Sequence, residues 1–165
     1  GDYGNALLTA LPVQQVRRHD LGVAGREPRG AIEVVVDCRG EPLRVIVTHL
    51  GLSSAERRVQ IRRLLAIIDT DPNLPLLMLG DFNEWLPVGG AMSVLRRAFG
   101  STPAPRSFPA RFPVFAIDRV WARPRTLVRS VRAHRSVLSR RASDHLPLRA
   151  CVEPGGRDVT GCGSR

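Results

Sequence analysis

The sequence has no lysine: all 25 of its basic residues are arginine, and they outnumber 15 acidic residues to give a formal net charge of +10. A genome rich in guanine and cytosine explains arginine in place of lysine, but it does not explain the excess of positive charge. Residues 96–149 hold 13 arginines against only Asp118 and Asp144, so this segment has a positive potential. Such an excess favours a phosphate-rich partner.

Aromatic residues make up only 5% of the chain, and Tyr3, Trp85 and Trp121 are scattered along it. This pattern offers no platform on which successive bases stack, and it argues against that mode of binding single-stranded nucleic acid. Hydrophobic runs are also short, since none approaches the roughly 18 residues that a membrane-spanning helix needs. We therefore expect a soluble protein without a transmembrane segment.

Cysteine is rare, and Cys38, Cys151 and Cys162 are odd in number and widely spaced. They suit neither a disulfide framework nor a zinc site, so we expect reduced thiols. The first residues contain neither a basic leader nor a long apolar run, which is unlike a signal peptide. Both observations favour a cytoplasmic location.

Hydrophobic periodicity predicts an ordered series of strands and helices. The segment Ser53-Ser54-Ala55-Glu56 fits a capping box, and a helix of about four turns is predicted there. Its apolar positions at roughly helical spacing are Ala55, Val59, Leu64, Leu65 and Ile68, and its other faces carry Arg57, Arg58 and Arg62. A second helix is predicted at residues 89–99, and the proline-rich residues 101–113 predict a loop. Strands are predicted at residues 6–8, 13–17, 31–38, 43–48, 74–79, 116–121, 127–131 and 146–152.

This order of elements indicates an α/β fold with a mixed sheet and helices on one face. The length of 165 residues is that of one domain. We assign residues 1–152 to it, and the glycine-rich, polar residues 153–165 predict a disordered tail.

Polar clusters at the ends of four predicted strands carry the chemistry. They are Thr48-His49-Leu50, Gly80-Asp81-Phe82-Asn83, Ile117-Asp118-Arg119 and Ser143-Asp144-His145. Active sites usually occupy such loops. Phosphodiester hydrolysis needs carboxylates for a hard divalent cation, an oriented water, and a histidine or amide beside the phosphate. The clusters contain all of these groups.

Each residue also has a plainer explanation. An Asp-x-Asn after a strand is more often a turn, a lone histidine there is usually structural, and Asp118 has a neighbour, Arg119, with which it can pair. The joint occurrence of the clusters, each beside a predicted strand, favours a catalytic site. Trp85 has two equal interpretations, as a wall of a substrate pocket or as a partly buried core residue.

These clusters, in this order, resemble the successive C-terminal motifs of the endonuclease/exonuclease/phosphatase superfamily, the deoxyribonuclease I-like phosphoesterases. Residues 3–8 resemble a segment near the middle of that domain, so the match spans about residues 3–150. The resemblance implies the C-terminal half of a four-layer α/β sandwich with mixed, largely antiparallel sheets. Members act on nucleic acids, phospholipid headgroups and phosphorylated small molecules, so a phosphate-containing substrate is implied.

Catalytic roles follow from the resemblance, motif by motif. Asp81 resembles the residue that orients or deprotonates the nucleophilic water, and Asn83 resembles the amide that contacts the phosphate. His145 resembles the catalytic histidine beside the scissile phosphate, and Asp118 resembles its orienting carboxylate. His49 resembles the second histidine, a phosphate contact or general acid.

The resemblance also implies a metal cofactor, Mg²⁺ or Mn²⁺, which Asp144 helps to bind. The family's metal-binding glutamate and early asparagine precede the motifs found here, and Glu33 and Glu56 do not match them. We therefore expect a truncated domain, with weak metal affinity and little activity as an isolated chain. A non-catalytic module that binds phosphate or nucleic acid stays open as the alternative function.

Overall fold

The order of strands and helices follows the predicted one closely. The computed structural model describes residues 4–85 and 90–153. The strands are β1 (Val13–Asp20), β2 (Gly30–Cys38), β3 (Glu41–His49), β4 (Leu76–Asp81), β5 (Asp118–Arg123), β6 (Val128–Ala133) and β7 (Leu148–Val152). The helices are α1 (Ser54–Ile68), α2 (Gly90–Phe99) and the short α3 (Ser139–Ala142), with a 3₁₀ turn at Arg125–Leu127.

Strands β1 to β5 form one sheet in chain order, and β6 pairs with β7 in a separate ladder. The pairing is antiparallel everywhere except between β3 and β4, which are parallel. A parallel pair needs a crossover connection, and α1 supplies it. The predicted α/β class with a mixed sheet is confirmed.

Two apolar clusters lie on opposite faces of the five-stranded sheet. One joins α1 and α2 to the sheet through residues such as Leu64, Leu95 and Met78. The other joins the sheet to the β6–β7 ladder through residues such as Val45 and Val131. The described residues therefore form three layers: helices, the large sheet and the small sheet. The prediction that both long helices share one face of the sheet is correct.

Two local predictions are wrong. Residues 6–8 form no strand; the preceding residue, Asn5, is tied to β2 because its side-chain amide donates to the Gly30 carbonyl. The capping box also does not form, since Ser53 makes no side-chain cap to α1. The Glu56 carboxylate instead lies directly over Gly51 and accepts a hydrogen bond from Gln60 at 3.0 Å.

The buried face of α1 also differs from the predicted one. Its first turns bury polar groups, among them Arg57, whereas Val59 is only half-buried. Arg57 is 4% exposed, because its guanidinium reaches back to the carbonyls of Gly51 and Leu52. Hydrophobic periodicity could not predict that Arg57 is buried, because the backbone oxygens that accept its hydrogen bonds belong to the loop before α1.

The cysteines divide into two kinds. Cys38 is a free thiol, as predicted. Cys151 is disulfide-bonded, so the expectation of a reduced thiol is wrong at this position. The same expectation for Cys162 falls outside the described residues. The prediction of a cytoplasmic location rested partly on reduced thiols, and the disulfide at Cys151 removes that part of its support.

None of the described helices is long and apolar enough to cross a membrane. The predicted disordered tail lies outside the described residues except for Glu153. The backbone N–H of Glu153 donates to Leu127, and its carboxylate accepts a hydrogen bond from Arg129 at 2.5 Å.

A buried ion pair connects the sheet to the end of α1. Arg44 on β3 is fully buried and donates to Glu33 on β2 at 2.7 Å. The same guanidinium donates to the carbonyls of Ile67 and Ile68 at 2.6 and 2.9 Å. Both carbonyls are among the last four of α1, which have no i→i+4 partner within the helix, and the helix dipole there also favours a cation. The Ile67 carbonyl also accepts the backbone N–H of Thr70 at 3.3 Å. Arg44 thus fixes the end of the crossover helix against the sheet.

Glu33 also accepts a hydrogen bond from His19 on β1 at 2.5 Å. Burial by itself raises the pKa of Glu33, but the hydrogen bonds from His19 and Arg44 outweigh it and lower the pKa below the usual 4.5. A carboxyl group whose pKa is lowered on folding contributes stability above its unfolded-state pKa. That contribution is lost as the pH falls through the folded-state pKa.

We predict that Glu33→Gln lowers the free energy of unfolding at pH 7 by about 3 kcal/mol, since it leaves Arg44 buried without its counter-charge. The deficit relative to wild type shrinks as the pH is lowered below about 4.5. Denaturant unfolding between pH 7 and pH 3 measures both effects. Glu41→Gln, at the exposed start of β3, is the matched control and changes stability by less than about 0.5 kcal/mol. A deficit that does not depend on pH contradicts the proposed ionic contribution.

Candidate active site

The candidate site lies in one row across the end of three adjacent strands. In the parallel β3–β4 ladder His49 is opposite Asp81, and in the antiparallel β4–β5 ladder Asp81 is opposite Asp118. The carboxyl ends of β3 and β4 and the amino end of β5 therefore coincide at one edge of the sheet. Residues separated by as many as 69 positions in the chain are brought together by strand register alone.

Gly80 makes this register possible. Its φ of 152° lies in a region that other residues rarely adopt. A Cβ at this position would lie 1.8 Å from the carbonyl oxygen of Thr48 in the neighbouring strand. Any larger residue would push β3 and β4 apart one position before His49 and Asp81.

A tight turn after β4 organises Asp81 and Asn83. The backbone N–H of Asn83 donates to the Asp81 carboxylate at 2.8 Å, and Asn83 itself has a φ of 48°. The buried Asn83 amide donates to the Leu50 carbonyl at 2.8 Å, and its nitrogen lies 3.1 Å from Nε2 of His49. Because the carbonyl fixes the amide as donor on that side, His49 accepts through Nε2.

On the other side of Asp81, His145 is held by Asp118. The Nδ1–H of His145 donates to Oδ2 of Asp118 at 2.9 Å, and its Nε2 lies 3.9 Å from Oδ2 of Asp81. The Nε2 of His49 lies 3.5 Å from the same Asp81 oxygen. Asp81 is thus flanked by two imidazoles, of which one is oriented by an amide and the other by a carboxylate.

Asp118 does not pair with Arg119, which points to the opposite face of β5 and lines a cavity beside Trp121. The structure therefore excludes that alternative for Asp118. The Asp118 carboxylate also accepts a hydrogen bond at 2.5 Å from the hydroxyl of Ser107, a residue of the predicted loop at 101–113. No motif marks this serine, because its role depends on contact with a strand 11 residues away.

The two histidines titrate in opposite directions. Burial and the charge of Arg29 lower the pKa of His49, and the opposing charge of Asp81 is too weak to restore it. Burial also disfavours the charged form of His145, but its hydrogen bond to Asp118 and the nearby carboxylates outweigh this and raise its pKa. The pKa of Asp81 is raised by burial and by the negative charge of Asp118, against the hydrogen bond from Asn83.

Asp81, Asp118 and His145 each offer a ligand atom, and these atoms lie within 4.8 Å of one another. Carboxylates are the ligands that Mg²⁺ and Mn²⁺ prefer, so Asp81 and Asp118 fit such a cation, whereas the imidazole is not a typical Mg²⁺ ligand. Asp144, the predicted metal ligand, is not in this group among the described residues. Its carboxylate is exposed, and its backbone carbonyl accepts a hydrogen bond from Ala110.

The structure gathers aromatic side chains that look scattered in the sequence. Trp85 is 39% exposed and packs edge-on against Phe108 and Phe115, at ring-centroid distances of 5.3 and 5.0 Å. Phe108 in turn lies against the His145 ring at 4.8 Å. Trp121, by contrast, is buried in the core. Trp85 therefore belongs to a half-exposed aromatic cluster beside the site and is not a core residue.

Comparison with known proteins identifies the family. Residues 1–145 match the model of the endonuclease/exonuclease/phosphatase family, and the chain belongs to this family of phosphoesterases. Its sequence is 34% identical over 161 residues to the uncharacterized protein YbhP of Escherichia coli, and equally to that of Shigella flexneri. The alignment covers 91% of this chain and 62% of YbhP, so the chain spans less than two thirds of those relatives.

Solved structures show the same fold. The mannosyl-6-phosphatase Bt3783 of Bacteroides thetaiotaomicron superimposes with a TM-score of 0.69 at 16% identity, covering 87% of this chain and 67% of that one. The human Nocturnin catalytic domain superimposes with a TM-score of 0.63 at 21% identity, and the alignment covers 84% of this chain and 58% of that one. A structure of D. rerio TDP2 in complex with a single-strand DNA product superimposes with a TM-score of 0.61 at 18% identity. The alignment covers 85% of this chain and 67% of that one.

We predict that Asp118→Asn lowers the pKa of His145, since it removes the hydrogen-bonded negative charge that favours the imidazolium. An NMR titration of the imidazole protons, in the presence of a chelator, measures this shift. The matched control is Asp144→Asn, whose carboxylate acts on His145 only through space and more weakly. The pKa of His145 is expected to be highest in wild type, lower in Asp144→Asn and lowest in Asp118→Asn. A pKa unchanged in Asp118→Asn contradicts the ion pair.

Proposed function

We propose that this chain is the catalytic part of a metal-dependent phosphoesterase that hydrolyses phosphodiester or phosphomonoester bonds. The observation that carries the proposal is geometric: Nε2 of His49 and Nε2 of His145 lie 3.5 and 3.9 Å from the same oxygen of Asp81. The pKa directions agree with it, since the pKa of His49 is lowered and that of His145 is raised. Groups whose environments drive their pKa values apart are typical of acid–base sites. A module that only binds phosphate has no use for this separation.

Asp81 is proposed as the base that orients and deprotonates the attacking water. Its pKa is raised, which improves its ability to accept a proton at neutral pH. The backbone N–H of Asn83 binds one carboxylate oxygen at 2.8 Å, so the second oxygen is the one directed at the histidines. The turn after β4 thus presents a single carboxylate oxygen to the site.

His145 is proposed as the cationic partner of the phosphate. Asp118 holds its Nδ1–H, so its Nε2 faces the region of Asp81. A protonated imidazole at this position donates a charge-assisted hydrogen bond to phosphate oxygens, which gain charge in the transition state. The hydrogen bond to Asp118 keeps His145 in the required orientation through the reaction.

His49 is proposed as a neutral contact rather than the general acid. Its Nε2 accepts from Asn83, and its lowered pKa disfavours the cation. In this form it accepts one amide N–H of Asn83, whose other N–H binds the Leu50 carbonyl. The proposed contact of Asn83 with the phosphate therefore requires that the phosphate replace His49 as the acceptor. Of the two roles implied by the family resemblance, the structure therefore favours the phosphate-side contact over proton donation.

A divalent cation, Mg²⁺ or Mn²⁺, is proposed to bind at the group of Asp81, Asp118 and His145 through its carboxylates, because the protonated Nε2 of His145 is proposed to donate to the phosphate. Asp144, the ligand that the family resemblance implies, is exposed and precedes His145 in the chain. When bound, the cation would offset the negative charge of the substrate. Among substrates, the family relatives include a phosphatase and a protein bound to a DNA product. Nucleic acid and phospholipid headgroups are both consistent with the arginine-rich segment.

We predict metal-dependent hydrolysis of bis(p-nitrophenyl) phosphate or of p-nitrophenyl phosphate, abolished by chelator. Asp81→Ala and His145→Ala each lower the rate by about 100-fold or more, as expected for acid–base groups. Release of p-nitrophenol measures the rate, and the preferred compound distinguishes diesters from monoesters. Asp69→Ala and His134→Ala alter exposed residues of the same types and leave the rate unchanged.

Full activity in both active-site variants contradicts the assignment of Asp81 and His145. Since little activity is expected of the isolated chain, the assay is repeated with the chain joined to the N-terminal part of the domain that the family resemblance implies. A folded, metal-loaded protein that turns over neither compound in both forms contradicts the catalytic proposal. That result would favour the non-catalytic module, for which retention of inorganic phosphate by the folded chain is the direct measurement.

A further inference from the structure

Ser107 is a fully buried residue in the proline-rich segment between α2 and β5. Its hydroxyl donates to Oδ2 of Asp118 at 2.5 Å. The same carboxylate oxygen accepts the Nδ1–H of His145 at 2.9 Å. We propose that Ser107 is a positioning residue, which acts on His145 through Asp118. This inference rests on the proposed function, because it assigns a role within the same site.

The geometry shows why a carboxylate in this place needs a second donor. Asp118 is the first residue of β5, and one hydrogen bond to His145 restrains its carboxylate less than two hydrogen bonds do. With two donors converging on Oδ2, the carboxylate is held in one orientation. His145 then keeps its proton on Nδ1 when neutral, and its Nε2 remains directed at Asp81, 3.9 Å away. Supporting hydrogen bonds of this kind fix both the tautomer and the angle of a functional imidazole.

The position of Ser107 is itself determined by the backbone on both sides. Its N–H donates to the Phe115 carbonyl at 2.9 Å, and its carbonyl accepts the N–H of Leu146 at 2.8 Å. The second bond connects Ser107 directly to the residue after His145. Phe108, the next residue along, packs its ring on the imidazole at 4.8 Å. The segment therefore holds the loop of His145 through the main chain and its partner Asp118 through one hydroxyl.

A purely structural role is the competing explanation, since a buried hydroxyl must find some acceptor. The two explanations differ in what they predict for folded protein. A structural serine affects the amount and stability of folded chain. A positioning serine affects the rate constant and the state of the imidazole in the fraction that is folded.

The first test compares Ser107→Ala, Ser107→Cys and Ser107→Thr in metal-dependent hydrolysis of the p-nitrophenyl compound that wild type prefers. Ala and Cys lower kcat by about 10- to 100-fold with little change in KM, because the donor to Asp118 is lost or weak. Thr keeps the hydroxyl and restores most of kcat. Ser139→Ala, at another buried serine hydroxyl whose partners are His134 and Ser136, is the matched control and keeps wild-type kcat. Thermal melts of all variants report the folded fraction.

A double-mutant cycle then shows through which residue Ser107 acts. In an Asp118→Asn background, Ser107→Ala causes no further loss of kcat, since groups that act as one unit are strongly non-additive. Losses that multiply in the double variant overturn the proposal. So does an unchanged kcat in folded Ser107→Ala and Ser107→Cys.

The last measurement does not depend on turnover and so separates this inference from the proposed function. Long-range ¹H–¹⁵N NMR reports the His145 tautomer in chelator-treated protein. When His145 is neutral, wild type and Ser107→Thr show its Nδ1–H tautomer, whereas Ser107→Ala and Ser107→Cys show a mixture of the Nδ1–H and Nε2–H tautomers. If wild type in both forms hydrolyses neither p-nitrophenyl compound, the catalytic proposal fails while this spectrum still decides the role of Ser107. Identical spectra in all four proteins overturn it.

Discussion

The site depends on the register of three neighbouring strands. His49, Asp81 and Asp118 occupy one row because β3 and β4 run parallel while β5 runs antiparallel to β4. The parallel pair exists only because α1 crosses over between its strands, and Arg44 holds the end of that helix against the sheet. Gly80 then lets the backbones of β3 and β4 approach one position before the row. A shift of one residue in either ladder would move one of these three side chains to the opposite face of the sheet.

Two loops complete this row, and buried polar contacts join them. Asn83 reaches from the loop after β4 to the Leu50 carbonyl in the loop after β3. Arg57, at the start of α1, donates to Gly51 and lies 3.4 Å from the Glu84 carboxylate. Each of these polar groups is buried, so loss of one partner leaves the other without solvent to replace it. Buried contacts therefore connect the two loops, and such support fixes the orientation of the side chains in a functional site.

The polar clusters were recognisable in the sequence because each adjoins a short apolar or β-branched segment, either after it or before it. His49, Asp81, Asn83, Asp118 and His145 are all gathered at one edge of the sheet, as the clustering at strand ends predicted. Asp144, in contrast, lies beside the group of donor atoms and not within it. Adjacency in the chain to His145 does not decide the direction of the Asp144 side chain, because both residues lie in a bend before β7 whose local geometry no motif predicts.

The sequence by itself determined the class of fold, the order of elements and the types of residue in the site, since these follow from local periodicity and from motifs at strand ends. It could not reveal Ser107, the aromatic cluster around Trp85, or the polar face of α1. Each of these depends on contacts between segments distant in the chain, and apolar patterning carries no record of them. The opposite pKa directions of His49 and His145 were likewise decided only by tertiary structure. Both are histidines at strand ends, and their protonation is set by which charges and donors the fold brings within reach.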